Sequence, residues 1–209
     1  MAGFLTLLAA AAAVAFGHFV HARPTPPPPS GEEFVFSGPL TWTNDEELDA
    51  QIAAALRIDP GAEVREWTAI VFHHSASPSG NAKSFNEYHV AINKWNSLGY
   101  DFVIGNGNGA PDGSIEAGPR WRRQEAGAHA HSPEFNQHGI GICLVGDFEK
   151  DPPTPAQMRA AKALAGALAK AYNIPASRIF GHKDVREGGG TACPGKLFPL
   201  DQIKSGLSE

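Results

Sequence analysis

The sequence predicts one α/β domain in which a central mixed β-sheet is flanked by helices. Two observations lead to this fold class: short apolar runs of strand-forming residues recur along the chain, and segments with helical periodicity alternate with them. The 209 residues are 42% hydrophobic and 19% charged, as in globular proteins. The formal net charge of -5 argues against nucleic acid as a partner, because nucleic-acid binding requires a basic surface.

Three segments precede the predicted domain. Residues 1–22 contain no Asp, Glu, Lys or Arg, and their apolar stretch is shorter than the ~20 residues that span a membrane. We interpret them as a signal peptide that is removed after export, with an uncleaved anchor as the alternative. Residues 23–32 carry consecutive prolines, which favour an extended linker. Residues 33–64 form an N-terminal extension, in which residues 44–56 are predicted to be a helix with acidic residues in its first turn.

The predicted strands of the main domain, residues 65–209, are apolar runs that end in loops. The clearest is TAIVF at residues 68–72, which is followed directly by two histidines. The Gly- and Asn-rich residues 106–113 mark a turn between two further strands. In chain order, the strands are predicted at residues 68–72, 100–104, 114–117, 139–145 and 178–180.

Capping signals and periodicity predict the helices of this domain. The capping-box spacing of residues 84–87 predicts a helix whose apolar positions continue to Trp95. The motif TPAQ at residues 154–157 predicts a helix start, because Thr caps, Pro suits the first turn and Gln reaches back. This helix is predicted to continue to about Tyr172, and a last helix is predicted at residues 200–207.

Two histidines and a cysteine have the residue types of a catalytic zinc site, which uses imidazole or thiolate ligands and leaves one position for water. His73 and His182 each follow a predicted strand, and Cys193 lies in a loop that Pro194 stiffens. Their spacing alone also allows an ordinary surface or core role for each histidine. Cys143 lies in an apolar run typical of a buried strand, so we expect two free thiols rather than a disulfide.

Seven short blocks surround these positions and carry a resemblance to a known family. They are VFHHSAS at residues 71–77, GYDFVI at 99–104, DGSIEAG at 112–118, GAH at 127–129, GIGICLVG at 139–146, GHKDV at 181–185 and TACPG at 191–195. In the same order, they resemble blocks of the zinc-dependent N-acetylmuramoyl-L-alanine amidases, which include bacteriophage lysozyme-type amidases and peptidoglycan recognition proteins. The resemblance covers residues 67–200, and its blocks are independent of one another, which makes it far more specific than a single motif.

The resemblance implies that His73, His182 and Cys193 bind one Zn²⁺ ion. In the double histidine, the family's ligand is the first residue after the strand, so His73 is preferred over His74. Non-catalytic members of the family lack the cysteine ligand, and the presence of Cys193 therefore implies a zinc-dependent hydrolase. The implied reaction is hydrolysis of the amide bond between the lactyl group of N-acetylmuramic acid and L-alanine in peptidoglycan by zinc-activated water.

Four further residues receive roles from the same resemblance. Tyr100 matches the family's catalytic tyrosine, whose hydroxyl would hydrogen-bond the oxyanion or orient the water. Thr191 matches a position near the scissile carbonyl, while His129 and His74 are predicted to line the cleft and bind substrate. The simpler alternatives are a core tyrosine, a turn threonine and two loop histidines.

Several positions near the predicted site depart from the family or are ambiguous. Asp101 replaces the histidine that usually follows the catalytic tyrosine, and the loop of residues 186–190 is long and Gly-rich, but neither change removes a ligand. Asp184 is predicted to orient a ligand or to form a surface salt bridge. Glu116 is not assigned to the site. Trp121, among three arginines, is predicted to lie in a solvated basic loop rather than a substrate groove.

Two other function classes remain open from the sequence. One is a peptidoglycan-binding recognition protein without activity. The other is a cysteine hydrolase in which Cys193 acts with His182, although no nucleophile signature surrounds this cysteine. The favoured partner is peptidoglycan or a muropeptide, with no nucleic acid and no stable membrane association after signal cleavage. We expect an exported monomer in the periplasm or the extracellular space.

Overall fold

In the computed structural model, residues 46–207 are described, and they form a five-stranded mixed β-sheet flanked by helices. This arrangement confirms the predicted fold class. The predicted signal peptide, the proline-rich linker and the first part of the N-terminal extension lie outside the described residues. None of the helices between residues 46 and 207 combines the length and the apolar character that a bilayer-crossing segment requires.

All five predicted strands form within one sheet. They are β1 (Ala69–His74), β2 (Phe102–Ile104), β3 (Ile115–Ala117), β4 (Gly139–Leu144) and β5 (Ile179–Gly181). Their order across the sheet is β3-β2-β4-β1-β5; β3 pairs antiparallel with β2, and the other neighbours are parallel. Because β1, β4 and β5 run in the same direction, the residues that end or follow them meet at one edge of the sheet.

The described residues also form seven α-helices. They are α1 (Glu46–Ala55), α2 (Ala82–Ala91), α3 (Pro119–Arg123), α4 (Pro133–His138), α5 (Pro155–Tyr172), α6 (His182–Val185) and α7 (Leu200–Ser205). The start of α5 is as predicted: Gln157 N–H donates to Thr154 Oγ1 at 3.0 Å, and Thr154 N–H donates to Gln157 Oε1 at 3.1 Å. The helices α3, α4 and α6, which have four to six residues each, were not predicted.

The helix α2 differs from its prediction at both ends. Asn81 caps it: Ser84 N–H donates to Asn81 Oδ1 at 2.7 Å, and Asn81 N–H donates to Ser84 Oγ at 3.0 Å. The helix ends before Trp95, so the apolar spacing in the sequence continues past the real end. Tyr88 and Ile92 are 56% and 61% exposed, so the apolar stripe of this helix does not face the core.

Trp121 lies in the core, so the prediction of a solvated loop was wrong. Its indole is fully buried, with its centroid 6.0 Å from the Trp67 ring and 4.7 Å from the Phe102 ring. The flanking arginines were misleading because neighbouring residues of a helix point in different directions, and the five-residue helix α3 is too short to be recognised from its sequence.

The two faces of the sheet are packed differently. On the helix-covered face, Ile70 and Phe72 of β1 belong to one large apolar cluster that includes residues of α1, α5 and α7. On the site face, which contains His73, the buried apolar residues form two smaller clusters around Val71 and Val103. Residues of β1 alternate between the two faces, as side chains of a strand do, and this alternation places His73 on the same face as Val71.

Candidate metal centre

The structure brings the three predicted metal ligands together at one edge of the sheet. His73 is near the end of β1, His182 follows β5 and opens α6, and Cys193 lies in the loop after α6. One potential ligand atom from each side chain lies within 4.8 Å of the other two. His73 Nδ1 is 3.7 Å from Cys193 Sγ, and the centroids of the two imidazoles are 4.6 Å apart.

The Gly-rich loop of residues 186–190 leaves Cys193 within reach of the histidines. Lys183 N–H donates to the Cys193 carbonyl at 2.7 Å, which ties the loop to α6. The Cys193 N–H donates to Thr191 Oγ1 at 3.2 Å. The three glycines at residues 188–190 have positive φ angles, which other residues adopt only with strain. Thr191 therefore shapes the ligand loop, and its contact with a scissile carbonyl stays a prediction.

The residues present fit a zinc ion. Zinc bonds of about 2.1 Å to nitrogen and 2.3 Å to sulfur, in tetrahedral geometry, separate the two ligand atoms by about 3.6 Å. The His73–Cys193 distance of 3.7 Å agrees with this value. His182 Nε2 is buried and has no hydrogen-bond partner among residues 46–207. A buried polar atom without a partner is rare and calls for an explanation, and a metal ligand role supplies one.

Burial keeps both candidate imidazoles in the neutral form that binds metals. It lowers the pKa of His73 well below the ordinary value of 6.5, and the nearby His129, His182 and His74 lower this pKa further. Burial also lowers the pKa of His182 to about 4, although a backbone hydrogen bond with Ala130 opposes the shift. At neutral pH, both rings therefore carry a lone pair on one nitrogen.

The Cys193 thiol is buried, and burial raises its pKa to about 12. The His74 N–H donates to the sulfur at 3.3 Å and opposes this shift by favouring the thiolate. A thiol with a raised pKa is a poor nucleophile, whereas coordination to a metal removes its proton. Cys143 is also buried, and both thiols are free, as expected from the sequence.

Tyr100 lies beside the ligands, with its ring centroid 5.2 Å from that of His73. Burial raises the pKa of its hydroxyl well above 10, and the Cys143 and Cys193 thiols raise it further. The phenol therefore stays protonated and can donate a hydrogen bond. Cys143, whose thiol helps to raise the pKa of Tyr100, was not predicted near the site. Its pairing with His73 in the parallel register of β1 and β4 places both side chains on the same face.

His129 does not line the cleft, which corrects this part of its prediction. Its side chain has no exposed surface. Its Nδ1 lies 3.0 Å from His73 Nε2, and its Nε2 lies 3.1 Å from the Gly139 carbonyl oxygen. The sequence indicated a loop, where histidines are usually solvated, but the His129 N–H donates to Asn136 Oδ1 at 2.9 Å and the ring points inward.

His74 and Asp184 contact the backbone. The Phe148 N–H donates to His74 Nδ1 at 3.1 Å, and the His74 side chain is only 9% exposed, so its contact with substrate stays a prediction. The Gly181 N–H donates to Asp184 Oδ2 at 2.9 Å. Asp184 thus stabilises the start of α6, and the described residues include no salt bridge to it.

Known proteins match this chain over the region that contains the sheet and the candidate ligands. A family model described as N-acetylmuramoyl-L-alanine amidase, Amidase_2, matches residues 63–196. Peptidoglycan-recognition protein LB from Drosophila melanogaster is 34% identical over 140 residues, which cover 62% of this chain and 55% of that protein. Peptidoglycan recognition protein 1 from Bos indicus is 34% identical over 129 residues, which cover 61% of this chain and 62% of that protein. The matched region thus covers less than two thirds of the length of each of these two curated relatives.

Solved structures share the fold as well as part of the sequence. The endolysin N-acetylmuramoyl-L-alanine amidase LysCS from Clostridium intestinale URNW is 33% identical with a TM-score of 0.57, over 68% of this chain and 84% of that chain. A mutant of Drosophila PGRP-LB in complex with tracheal cytotoxin is 30% identical with a TM-score of 0.51, over 72% and 88% of the two chains. Since one family model matches more than half of its residues, including all three candidate ligands, this chain belongs to the N-acetylmuramoyl-L-alanine amidase family, Amidase_2.

Proposed function

We propose that this protein is a zinc-dependent N-acetylmuramoyl-L-alanine amidase. Its substrate is peptidoglycan or a muropeptide, in which it hydrolyses the amide bond between the lactyl group of N-acetylmuramic acid and L-alanine. The observation that carries the proposal is the cluster of His73, His182 and Cys193, whose potential ligand atoms lie within 4.8 Å of one another. Membership of the amidase family supports the same reaction.

The three ligands have complementary tasks in this proposal. Zinc held by them supplies a Lewis acid that activates water and polarises the scissile carbonyl. His73 and His182 offer neutral nitrogens, because burial lowers the pKa of both rings. Cys193 offers a thiolate, which the His74 N–H stabilises at 3.3 Å. A third protein ligand that is an anion reduces the net charge of the occupied site and leaves one position open for reaction.

Tyr100 and Thr191 act on the substrate in this proposal. The Tyr100 hydroxyl stays protonated because burial and nearby thiols raise its pKa, so it can donate to the oxygen that gains charge during attack. Thr191 lies two residues before Cys193, and its hydroxyl oxygen accepts a hydrogen bond from the Cys193 N–H at 3.2 Å, which supports its assignment to the same site.

A recognition protein without activity is the second candidate function. Two of the relatives named above are peptidoglycan recognition proteins, and one structure of such a relative contains tracheal cytotoxin. The complete ligand set, Cys193 included, favours hydrolysis over binding alone. A cysteine hydrolase is disfavoured on physical grounds, because a nucleophilic cysteine needs a lowered pKa and burial raises that of Cys193 to about 12.

Location and assembly follow from the substrate. Peptidoglycan lies outside the cytoplasmic membrane, so an enzyme that cleaves it acts in the periplasm or the extracellular space. The signal peptide predicted for residues 1–22 would serve this export. We propose that the enzyme works as a monomer, since all three candidate ligands come from one chain.

Mass analysis of muropeptides tests the proposed function. We expect purified protein with zinc to release stem peptides that begin with L-alanine, a chelator to stop the release, and added zinc to restore it. His182→Ala should reduce the rate by at least about 10³-fold, since loss of Lewis-acid catalysis costs several kcal/mol. His138→Ala, the same change at the last residue of α4 and outside the candidate ligand cluster, should keep the rate.

Two results would contradict this function. Release that continues at full rate after complete removal of metal would exclude a zinc mechanism. Tight binding of muropeptides by the zinc-loaded protein with no release of peptide would identify a recognition protein.

A further inference from the structure

A buried contact connects the candidate ligand His73 with His129, which lies outside the candidate ligand cluster. His73 Nε2 and His129 Nδ1 are 3.0 Å apart, and the rings meet edge to face at an interplanar angle of 81°. On the far side of His129, its Nε2 lies 3.1 Å from the Gly139 carbonyl oxygen. Both His side chains are buried, so water does not replace either hydrogen bond.

The two contacts fix where the protons of both rings lie. His73 Nδ1 faces Cys193 Sγ at 3.7 Å, so this nitrogen is the one that presents its lone pair to a metal. The proton of a neutral His73 is then on Nε2, and it donates to His129 Nδ1. His129 in turn carries its proton on Nε2 and donates it to the Gly139 carbonyl. Every ring nitrogen of the pair therefore has one defined partner.

The chain provides a narrow slot for the His129 ring. A Cβ atom on Gly127 or on Gly141 would lie 2.5 Å from His129 Cδ2, closer than real Cβ contacts allow. Glycine at both positions thus leaves the space that the ring fills. Gly141, which forms one wall of the slot, is fixed by a hydrogen bond: its N–H donates to Asp101 Oδ2 at 2.7 Å. Asp101 therefore supports the slot and lies 3.9 Å from His129 Nε2.

We propose that His129 is a positioning residue for the metal centre: it accepts the Nε2–H of His73 and thereby holds His73 Nδ1 toward the ion. The inference rests on the zinc site of the proposed function, but it concerns metal affinity rather than the reaction. Hydrogen bonds from outer residues to a ligating imidazole fix its tautomer and orientation, and their loss typically lowers metal affinity about 10–100-fold. His129 therefore contributes to zinc binding without contacting zinc or substrate.

Two variants of His129 distinguish the contribution of its hydrogen bond to zinc affinity from the contribution of the volume of its ring. In His129→Asn, the amide oxygen takes approximately the place of Nδ1 and can still accept the His73 proton. His129→Leu fills a similar space but accepts nothing. We expect zinc affinity, measured by chelator competition, to fall about 10–100-fold in His129→Leu and to stay within about threefold of the original protein in His129→Asn.

A spectroscopic measurement and a stability measurement complete the test. With Co²⁺ in place of zinc, the absorption spectrum should change in His129→Leu and remain close to the original in His129→Asn. The unfolding free energy of each metal-free variant shows whether the domain itself is weakened. A change in this free energy with unchanged zinc affinity and an unchanged cobalt spectrum would mean that His129 is only a core residue, and the inference would fail.

The other outcomes are equally decisive. Equal loss of zinc affinity in both variants would overturn the role of the accepted hydrogen bond. Tight zinc binding by the original protein without peptide release would end the proposed amidase function and leave this inference intact. No zinc binding by the original protein would overturn both.

Discussion

The helix-covered face and the site face of the sheet use the same strands in opposite ways. On the helix-covered face, Ile70 and Phe72 are completely buried in one continuous apolar cluster. On the site face, the apolar residues are divided into two small clusters, and the same face carries the His73 imidazole and the Cys143 thiol. A residue and its neighbour in β1 therefore serve different purposes: Phe72 stabilises the domain, while His73 belongs to the candidate metal centre.

The difference between the two faces shows how a small domain can contain a buried cluster of polar side chains. Buried polar groups destabilise a protein unless they are hydrogen-bonded or bind an ion. On the site face, His73, His129 and the Gly139 carbonyl satisfy one another, while His182 Nε2 has no partner among the described residues. We infer that the helix-covered face supplies most of the stability, and that the site face depends on its hydrogen bonds and on metal. Three changes test this division, from the largest expected effect to the smallest.

Tyr100→Phe should separate activity from stability on the site face. Removing one donor to a developing oxyanion typically lowers kcat about 10²–10³-fold, or about 3–4 kcal/mol. We expect a loss of this size in peptide release, with zinc affinity unchanged because the phenol is not one of the clustered ligands. Tyr172→Phe, the same change on the helix-covered face, should keep the activity. Full activity in Tyr100→Phe would remove this tyrosine from the mechanism.

Leu164→Ala should lower the stability of the domain and leave its zinc site unchanged. Leu164 lies in α5 and is completely buried, so its truncation leaves a cavity and should lower the free energy of unfolding by about 2–5 kcal/mol. The folded fraction should bind zinc with the original affinity, as chelator competition can measure. Leu197→Ala, at a position that is 38% exposed, should cost less than about 1 kcal/mol. A large fall in zinc affinity in Leu164→Ala would show that the two faces are not independent.

Asp101→Asn should change how stability depends on pH. Burial raises the pKa of Asp101 from 3.8 to about 7, although the Gly141 N–H opposes the shift. Between about pH 4 and pH 7, the folded protein therefore binds more protons than the unfolded chain, and this residue makes stability fall as pH rises. The asparagine removes this penalty and can still accept the Gly141 hydrogen bond.

The expected gain of Asp101→Asn is absent near pH 4 and complete above pH 7. It should be of the order of 2–4 kcal/mol, because one pKa unit corresponds to about 1.4 kcal/mol. Urea unfolding of the metal-free protein at several pH values measures it, with the exposed Asp201→Asn as a control. Parallel stability curves for Asp101→Asn and the original protein would mean that the buried carboxyl does not titrate in this range.

The strands and the longest helix could be predicted because their signals are local. The apolar run of β1 and the capping motif of α5 each lie within a few residues. The helices α3 and α6 are too short for periodicity, and the burial of Trp121 depends on Trp67 and Phe102, which are distant in the chain. Local patterns contain no information about such packing partners.

The candidate site shows the same limit. The ligand residues could be predicted because the blocks around His73, His182 and Cys193 resemble a family, and the structure places all three together. The position of His129 could not be predicted, since its partner His73 is 56 residues away and the slot between two glycines exists only in the folded chain. A buried imidazole and a solvated loop imidazole look identical in a sequence.

The distance along the chain between two of the ligands has a consequence for the whole domain. His73 and Cys193 are separated by 120 positions, so most of the described residues, 46–207, lie between them along the chain. An ion held by both residues would bind only the folded domain, so its binding free energy would add to the free energy of unfolding. If the proposed zinc site is occupied, metal supply would therefore set part of the stability of the domain, and metal removal should loosen the contact between two segments that are distant in the chain.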